Sequence, residues 1–345
     1  MHISAIRKSL IALFAVGCVF LAAGCTPSDT ETTPIDTPET TDTTTDEPTI
    51  GEMQTLDNLD AITVTGDFNT LPTVDAPYAF NVAKTMCKTT IEGAGAAIDA
   101  DDTVFELNYT GINATTGETF DSSIINGTPI MEATISSATF VTGFDTCLRG
   151  AKGGSRVVMA ITGADGYDSA GGQPDAGINV GDTMLFVVDI IQVEFKGPEG
   201  QHLLDGNQWV NVTDTSGVPS VTINQGVPAP TDLVTTVLIQ GTGPKVDPGD
   251  AVYVNFLWVD FATGAEIQNS YTSGGGPQPD YLADMIPGWR TALAGQPTGS
   301  RLLLIVPGDQ AYPQGNATPS VSPNATLVFV VDILYTWVPQ QQTST

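Results

Sequence analysis

The sequence predicts an α+β chain in which one domain is present twice, and three observations carry that prediction. Blocks of the first half recur in the second at a nearly constant offset. Runs rich in β-branched and aromatic residues, bounded by Gly, Asp or Asn, read as strands. One short helix with apolar residues on a single face is expected in each half.

In chain order, Arg7 and Lys8 make a short basic start and Leu10 to Ala23 is an almost unbroken apolar run. A membrane-spanning helix needs about 20 such residues, so residues 1–24 suit a signal peptide better. The run ends in Leu21-Ala22-Ala23-Gly24-Cys25, which resembles the lipobox of bacterial lipoproteins. That resemblance implies cleavage before Cys25, a lipid on its thiol, and a protein held at the outer face of the cell membrane. An ordinary signal peptide with a chance cysteine is the alternative. Residues 25–58 are rich in Thr, Asp, Glu and Pro and poor in large apolar residues. Such a segment cannot bury enough surface to offset its ordering entropy and is expected to be a disordered, self-repelling stalk.

The two copies are expected over 59–197 and 198–338, joined near Lys196-Gly197-Pro198, with a polar tail over 339–345. Leu71-Pro72-Thr73-Val74 is echoed by Val218-Pro219-Ser220-Val221. Asp102 to Tyr109 is echoed by Asp250 to Phe256, and Thr116-Gly117-Glu118-Thr119-Phe120 by Thr263-Gly264-Ala265-Glu266-Ile267. The offset stays at about 145 residues through Val141 to Phe144 against Ile286 to Trp289. It holds again for Leu185 to Ile190 against Val328 to Ile333. Val104 to Tyr109, Arg156 to Ile161 and Met184 to Phe195 read as strands. The helices are expected around Phe144 to Arg149 and Trp289 to Leu293, with Gly150 and Gly295 suiting their C-terminal ends.

A formal net charge of −28 argues against nucleic acid and anionic headgroups as partners, since both are polyanions. Cys18 leaves with the signal and Cys25 is assigned to the lipid, which leaves Cys87 and Cys147. Outside the cytoplasm they can form a disulfide; two buried free thiols are the alternative. His202 is the one histidine left after His2 is removed, and no elbow motif accompanies it, which argues against a hydrolase. Asp99, Asp101 and Asp102 lack the spacing of a calcium loop, so no metal and no cofactor are expected.

The ordered blocks resemble the FKBP-type peptidyl-prolyl isomerases. In the first copy the resemblance rests on Leu107-Asn108-Tyr109-Thr110-Gly111, Gly117 to Ser123, Val141-Thr142-Gly143-Phe144, Gly166-Tyr167 and the strand around Phe186. In the second it rests on Ile286-Pro287-Gly288-Trp289, Ala311-Tyr312 and Pro323 to Phe329. The resemblance implies two tandem domains, each a curved antiparallel half-barrel packed on one short helix. It implies a prolyl isomerase acting on proline-containing exported polypeptides as a monomeric, membrane-anchored folding helper, with macrolides as further ligands.

Carried over by position, Tyr109, Phe120, Val141, Phe144 and Phe186 would line the first pocket. Tyr167 would donate to the substrate carbonyl and Asp121 would orient the twisted amide. Phe144 stands where the family has a floor Trp, and Asp145 where it has Glu, so weakened catalysis is expected. By residue chemistry alone, Asp121 could instead cap the adjacent turn through Ser122 or Ser123. The second pocket would be Phe256, Ile286, Trp289, Tyr312 and Phe329. There Phe256 replaces the pocket Tyr and Ile267-Gln268 replaces Phe-Asp, so a binding module or structural copy is expected. A non-catalytic scaffold lipoprotein is the alternative for the whole chain.

Overall fold

A computed structural model describes residues 52–136, 140–273 and 277–338. Cys25, the signal, most of the stalk and the tail lie outside the described residues. The first copy contains β1 (Gln54–Leu56), β2 (Thr63–Thr65), β3 (Thr73–Asp75), β4 (Phe80–Val82), β5 (Met86–Ile91), β6 (Phe105–Asn113) and β7 (Thr119–Ser122). These are followed by α1 (Ser123–Asn126), β8 (Ile130–Ala133), α2 (Thr142–Leu148), β9 (Arg156–Ile161) and β10 (Met184–Val193). The second contains β11 (Gly200–His202), β12 (Val210–Thr215), β13 (Val218–Ile223), β14 (Val234–Gly241), β15 (Ala251–Asp260), β16 (Glu266–Asn269) and β17 (Gln278–Tyr281). It ends with α3 (Pro287–Leu293), β18 (Arg301–Val306) and β19 (Leu327–Trp337).

The main sheets repeat each other. The first runs β5-β9-β10-β6-β7, with β8 also on β6; the second runs β11-β14-β18-β19-β15-β16, with β17 also on β15. All these pairings are antiparallel. β9 coincides with the predicted strand, whereas the predicted Val104–Tyr109 run continues to Asn113. Both long helices begin two residues earlier than expected, because Val141 and Pro287 already set the first turn. Gly150 and Gly295 adopt left-handed conformations just past the helix ends. The expectation of a single helix in the first copy is corrected by α1, a one-turn helix capped by Ser122.

β9 is buried at all six positions, which an alternating half-exposed strand would not be. The reason is that each sheet is covered on both faces. On one face α2 buries Phe144, Cys147 and Leu148 among Leu107, Met159 and Phe186. On the other, an N-terminal strap made of the β2–β3 hairpin and the β1–β4 pair buries Leu59, Ile62, Phe80 and Val82 against Ile112, Val158, Ala160 and Leu185. The expected disorder through residue 58 is therefore corrected at its end: β1 pairs with β4 in parallel, and Leu56 packs on this cluster. In the second copy the β12–β13 hairpin covers Leu257, Val259, Leu303 and Val328 in the same way.

Each strap is pinned by a buried ion pair. Arg156 meets Asp189 through two contacts of 2.6 and 2.8 Å and donates to the carbonyls of Gly66 and Asp67, each at 2.8 Å. Arg301 meets Asp332 at 2.6 and 2.8 Å, and donates to Asp214 at 2.5 Å and to the Gly217 carbonyl at 3.1 Å. Removing both charges from water is costly unless every donor finds a partner, and the strap carbonyls complete that set.

The described residues form one unit, and the copies share core. Phe195 N–H donates to the Leu334 carbonyl at 3.0 Å, and Gln192 Nε2 to the Thr336 carbonyl at 2.5 Å. Leu334, from the second copy, is fully buried in the first copy's core beside Val193 and Phe195. A Cβ at Gly243 would lie 2.8 Å from the Phe195 ring, so the seam closes only over a glycine. Among the described residues no helix is long and apolar enough to cross a membrane.

Candidate functional site

The first site is assembled from four pieces of chain. β6 brings Tyr109 and Gly111, separated by two residues and hence on one face. β7 brings Phe120 and Asp121, and the register places Asp121 opposite Gly111. α2 brings Phe144, with Val141 at its N-cap. β10 brings Phe186, opposite Gly111 on the other side. The turn after β7 is fixed by Ser123, whose Oγ accepts from Tyr109 N–H at 2.9 Å and donates to Asn108 at 2.7 Å.

Phe186 is the hub of an aromatic wall. Phe144 meets it edge-on at 5.0 Å, Phe120 edge-on at 5.5 Å, and Tyr109 at 6.2 Å. These are the separations at which ring quadrupoles attract. Phe144 is buried as a floor, and Phe140 stacks beneath it at 5.0 Å. Sequence reasoning missed Phe140, although its place next to Val141 was visible. Gly111 was visible too, as part of a motif without a stated reason. A Cβ there would lie 2.5 Å from Phe120 and 2.9 Å from Phe186, so the wall can form only over a glycine.

Asp121 receives a short hydrogen bond from the Tyr109 hydroxyl and another from Asn126 Nδ2 at 2.9 Å. It does not cap the adjacent turn; Ser122 does, accepting from Ile125 N–H. Asn126 was not anticipated, and only the one-turn α1 brings it back to Asp121. Burial first, and then the bond to Asp121, push the Tyr109 phenol well above its ordinary range. Burial and the Asp121 charge push Tyr167 in the same direction. Both phenols therefore keep their protons at neutral pH. Tyr167 lies on the loop after β9, packs against the same core, and its hydroxyl has no hydrogen-bond partner among the described residues. The arrangement offers an apolar aromatic surface, a held carboxylate and one free hydroxyl donor.

Cys87 on β5 and Cys147 on α2 form a disulfide with a Cα separation of 5.4 Å. The bridge ties the floor helix to an edge strand three residues beyond Phe144.

The second site collects Phe256, Ile286, Trp289, Tyr312 and Phe329 around one cluster. Trp289 meets Phe256 edge-on at 5.6 Å and Phe329 edge-on at 5.2 Å. The turn network also repeats: Ser270 accepts from Phe256 N–H at 2.7 Å and donates to Asn255 at 3.1 Å. Gln268 stands opposite Trp258, as Asp121 stands opposite Gly111. Trp258 was missed by sequence reasoning. It is buried and stacks on both Phe329 and Tyr312.

A family model described as FKBP-type peptidyl-prolyl cis-trans isomerase matches residues 95–191 and 243–334. The chain is 38% identical over 108 residues to a probable FK506-binding protein of Corynebacterium glutamicum, covering 31% of this chain and 89% of that one. It is 36% identical over 104 residues to the FKBP-type peptidyl-prolyl cis-trans isomerase FkpA of Escherichia coli, covering 30% of this chain and 37% of the relative. It is 31% identical over 105 residues to the outer membrane protein MIP of Legionella longbeachae, covering 30% and 44%. The matched region thus spans less than half of the last two relatives.

Proposed function

The chain belongs to the FKBP-type peptidyl-prolyl cis-trans isomerase family, with two FKBP-like regions in tandem, and from that premise we propose that the first copy carries the catalysis. The observation that supports this assignment most is Tyr167, whose hydroxyl has no hydrogen-bond partner among the described residues while the ring cluster and Asp121 lie beside it. Rotation about an Xaa–Pro bond faces a barrier of about 18–20 kcal/mol, and no bond to the proline is broken. The planar amide owes that barrier to charge separation across its C–N bond. An apolar wall of Tyr109, Phe120, Phe144 and Phe186 withholds solvation from the separated charge, which favours the twisted state. Tyr167 donates to the carbonyl as it leaves the amide plane. Asp121, held by Tyr109 and Asn126, supplies the fixed negative end that orients the twisted amide. Val141 at the helix N-cap closes the side of the pocket. The reading of the whole chain as a non-catalytic scaffold is not favoured by membership of an isomerase family.

In a protease-coupled assay on a short Xaa–Pro peptide, the full chain is expected to accelerate isomerisation. Losing a hydrogen bond to a charged group costs about 1.5–3 kcal/mol, so Asp121→Ala should lower kcat/KM by roughly ten-fold or more. Tyr167→Phe loses a neutral donor and should cost about 3–10-fold. Wild-type rates for either variant would remove these residues from the mechanism. A macrolide of the kind the family binds should compete with the peptide if the first pocket is open.

The cellular setting proposed is the outer face of the cell membrane, with Cys25 lipidated and proline-containing exported chains as substrates. It is supported by the lipobox-like run ending at Cys25 and by an outer membrane protein among the relatives. The molecule is expected to work there as a monomer. Cys25→Ser should move the protein from the membrane fraction to the soluble one; an unchanged distribution would overturn the anchor.

A further inference from the structure

A row of polar residues crosses the strap face of the first sheet. Arg156 on β9 stands opposite Asp189 on β10, and Asp189 stands opposite Asn108 on β6. Residues paired in this way point to one face, while the next residue along β6, Tyr109, points to the other. The row therefore ends one residue from the site. Asn69, in the turn of the β2–β3 hairpin, touches two of its members. Its backbone N–H donates to Asp189 at 2.6 Å, and its side-chain oxygen accepts from Asn108 Nδ2 at 2.7 Å.

The second contact fixes which way the Asn108 amide faces. With Nδ2 on Asn69, the amide oxygen is left to accept from Ser123 Oγ at 2.7 Å. Ser123 has one hydroxyl proton and a second acceptor within reach, the Tyr109 carbonyl at 3.4 Å. Asn108 keeps that proton on the shorter bond, and Ser123 Oγ accepts from Tyr109 N–H at 2.9 Å. Ser123 opens α1, and Asn126, which donates to Asp121, closes it. An unbroken chain of hydrogen bonds thus runs from the buried ion pair to the turn that holds Asp121.

The second copy has the row without the link. Arg301, Asp332 and Asn255 repeat it in register, and Ser270 repeats Ser123. The echo of Leu71 in Val218 sets Ser216 in the place of Asn69, with a similar left-handed backbone (φ 55° against 61°). Ser216 makes no side-chain hydrogen bond to Asn255 among the described residues, and the Ser270–Asn255 bond is longer, at 3.1 Å. The link is present in the copy that has Asp121 and missing from the copy that has Gln268.

We propose that Asn69 is a positioning residue for the first site: through Asn108 and Ser123, the strap holds the turn that carries Asp121. This rests on the reading of Asp121 as part of the catalytic site. It gives the strap a part in turnover as well as in covering the sheet.

The test compares Asn69→Gly with Asn69→Asp in the full chain. Glycine takes the positive φ without strain and keeps the backbone N–H on Asp189, so what is lost is the acceptor for Asn108. Asn69→Asp keeps an acceptor of the same shape and also tolerates this backbone. In the Xaa–Pro peptide assay, Asn69→Gly should lower kcat/KM about three- to ten-fold, the size of one neutral hydrogen bond. Asn69→Asp should stay within about two-fold of the wild type. In an Asp121→Ala background, Asn69→Gly should cost nothing further, a coupling that a general loss of stability would not produce. By NMR, the Tyr109 amide proton should exchange with solvent about three- to ten-fold faster in Asn69→Gly and at the wild-type rate in Asn69→Asp. Unchanged kcat/KM or unchanged Tyr109 exchange in Asn69→Gly overturns the proposal. So does a loss of the same size with and without Asp121, or an Asn69→Asp variant as impaired as Asn69→Gly. If the wild type turns over no peptide while Tyr109 exchange still responds to Asn69→Gly, the catalytic reading of Asp121 fails and the hold of the strap on its turn stands.

Discussion

Tyr109 shows how one residue ties stability to the site. Its hydroxyl donates to Asp121, and its pKa is raised by burial and by that bond. An unfolded tyrosine loses its proton at about pH 10. Between that value and the raised folded value the native state holds more protons than the unfolded one, so stability falls as pH rises. Below about pH 10 the contribution is fully present. Tyr109→Phe is thus expected to flatten the alkaline limb of a stability–pH curve measured by urea unfolding, while lowering stability at pH 7. Tyr167, raised for similar reasons, keeps its donor proton across the same range, so no loss of turnover from its ionisation is expected below about pH 9.

At the scale of elements, the strap explains why each copy is larger than a sheet and a helix. Its residues cover the second face of the sheet, and the buried arginine fixes where its turn lies. Removing one partner of a buried ion pair leaves the other uncompensated, at a cost of about 3–5 kcal/mol. Arg156→Met is therefore expected to destabilise the chain by that amount in urea denaturation. Arg156→Met combined with Asp189→Leu should recover most of the loss, because two apolar side chains replace the pair without leaving a charge behind. A single variant as stable as the wild type would show that the strap is held by its apolar contacts alone. The disulfide acts at the same scale: it joins α2, which carries Phe144, to β5 in the first copy. The matching position on α3 is Ala292, so the second copy has no such tie there.

At the scale of the whole molecule, Leu334 is the residue that makes one body of two copies. It belongs to the second copy's last strand and lies fully buried in the first copy's core. Leu→Ala at a buried site costs about 2–5 kcal/mol. Leu334→Ala is expected to lose stability in that range and, in calorimetry, to split a single cooperative transition into two. One unsplit transition with an unchanged Tm would show that the seam contributes nothing. The same seam makes the full chain the proper object for activity measurements, since the first copy alone would expose the surface that Leu334 and Tyr253 cover.

Duplication, strand-rich character and the two floor helices could be read along the chain, because each leaves a local signature; the residues proposed for the first pocket came from the family resemblance, since a single aromatic in a strand reads as core. Alternation and apolar runs mark strands, Gly150 and Gly295 mark helix ends, and the offset of Phe144 from Trp289 marks the repeat. Cys87 and Cys147 were identifiable as a pair by elimination, though whether they were bonded was open. Only the tertiary structure decided the rest, because those features depend on residues distant in sequence. The strap began inside what its composition marks as stalk, since Leu56 gains from burial only once Phe80 and Val82 are beside it. Asn126 reached Asp121 only through the turn of α1. Trp258 read as one more apolar strand residue, and nothing within its own segment marks it as the ring that stacks on both Phe329 and Tyr312. Its meaning came from register, which set it opposite Phe329, and from the loop that carries Tyr312 over its face. Sequence alone determined that this chain has two FKBP-like regions; packing across strands determined that Phe120 covers Gly111 in the first, while Trp258 stacks on Phe329 and Tyr312 in the second.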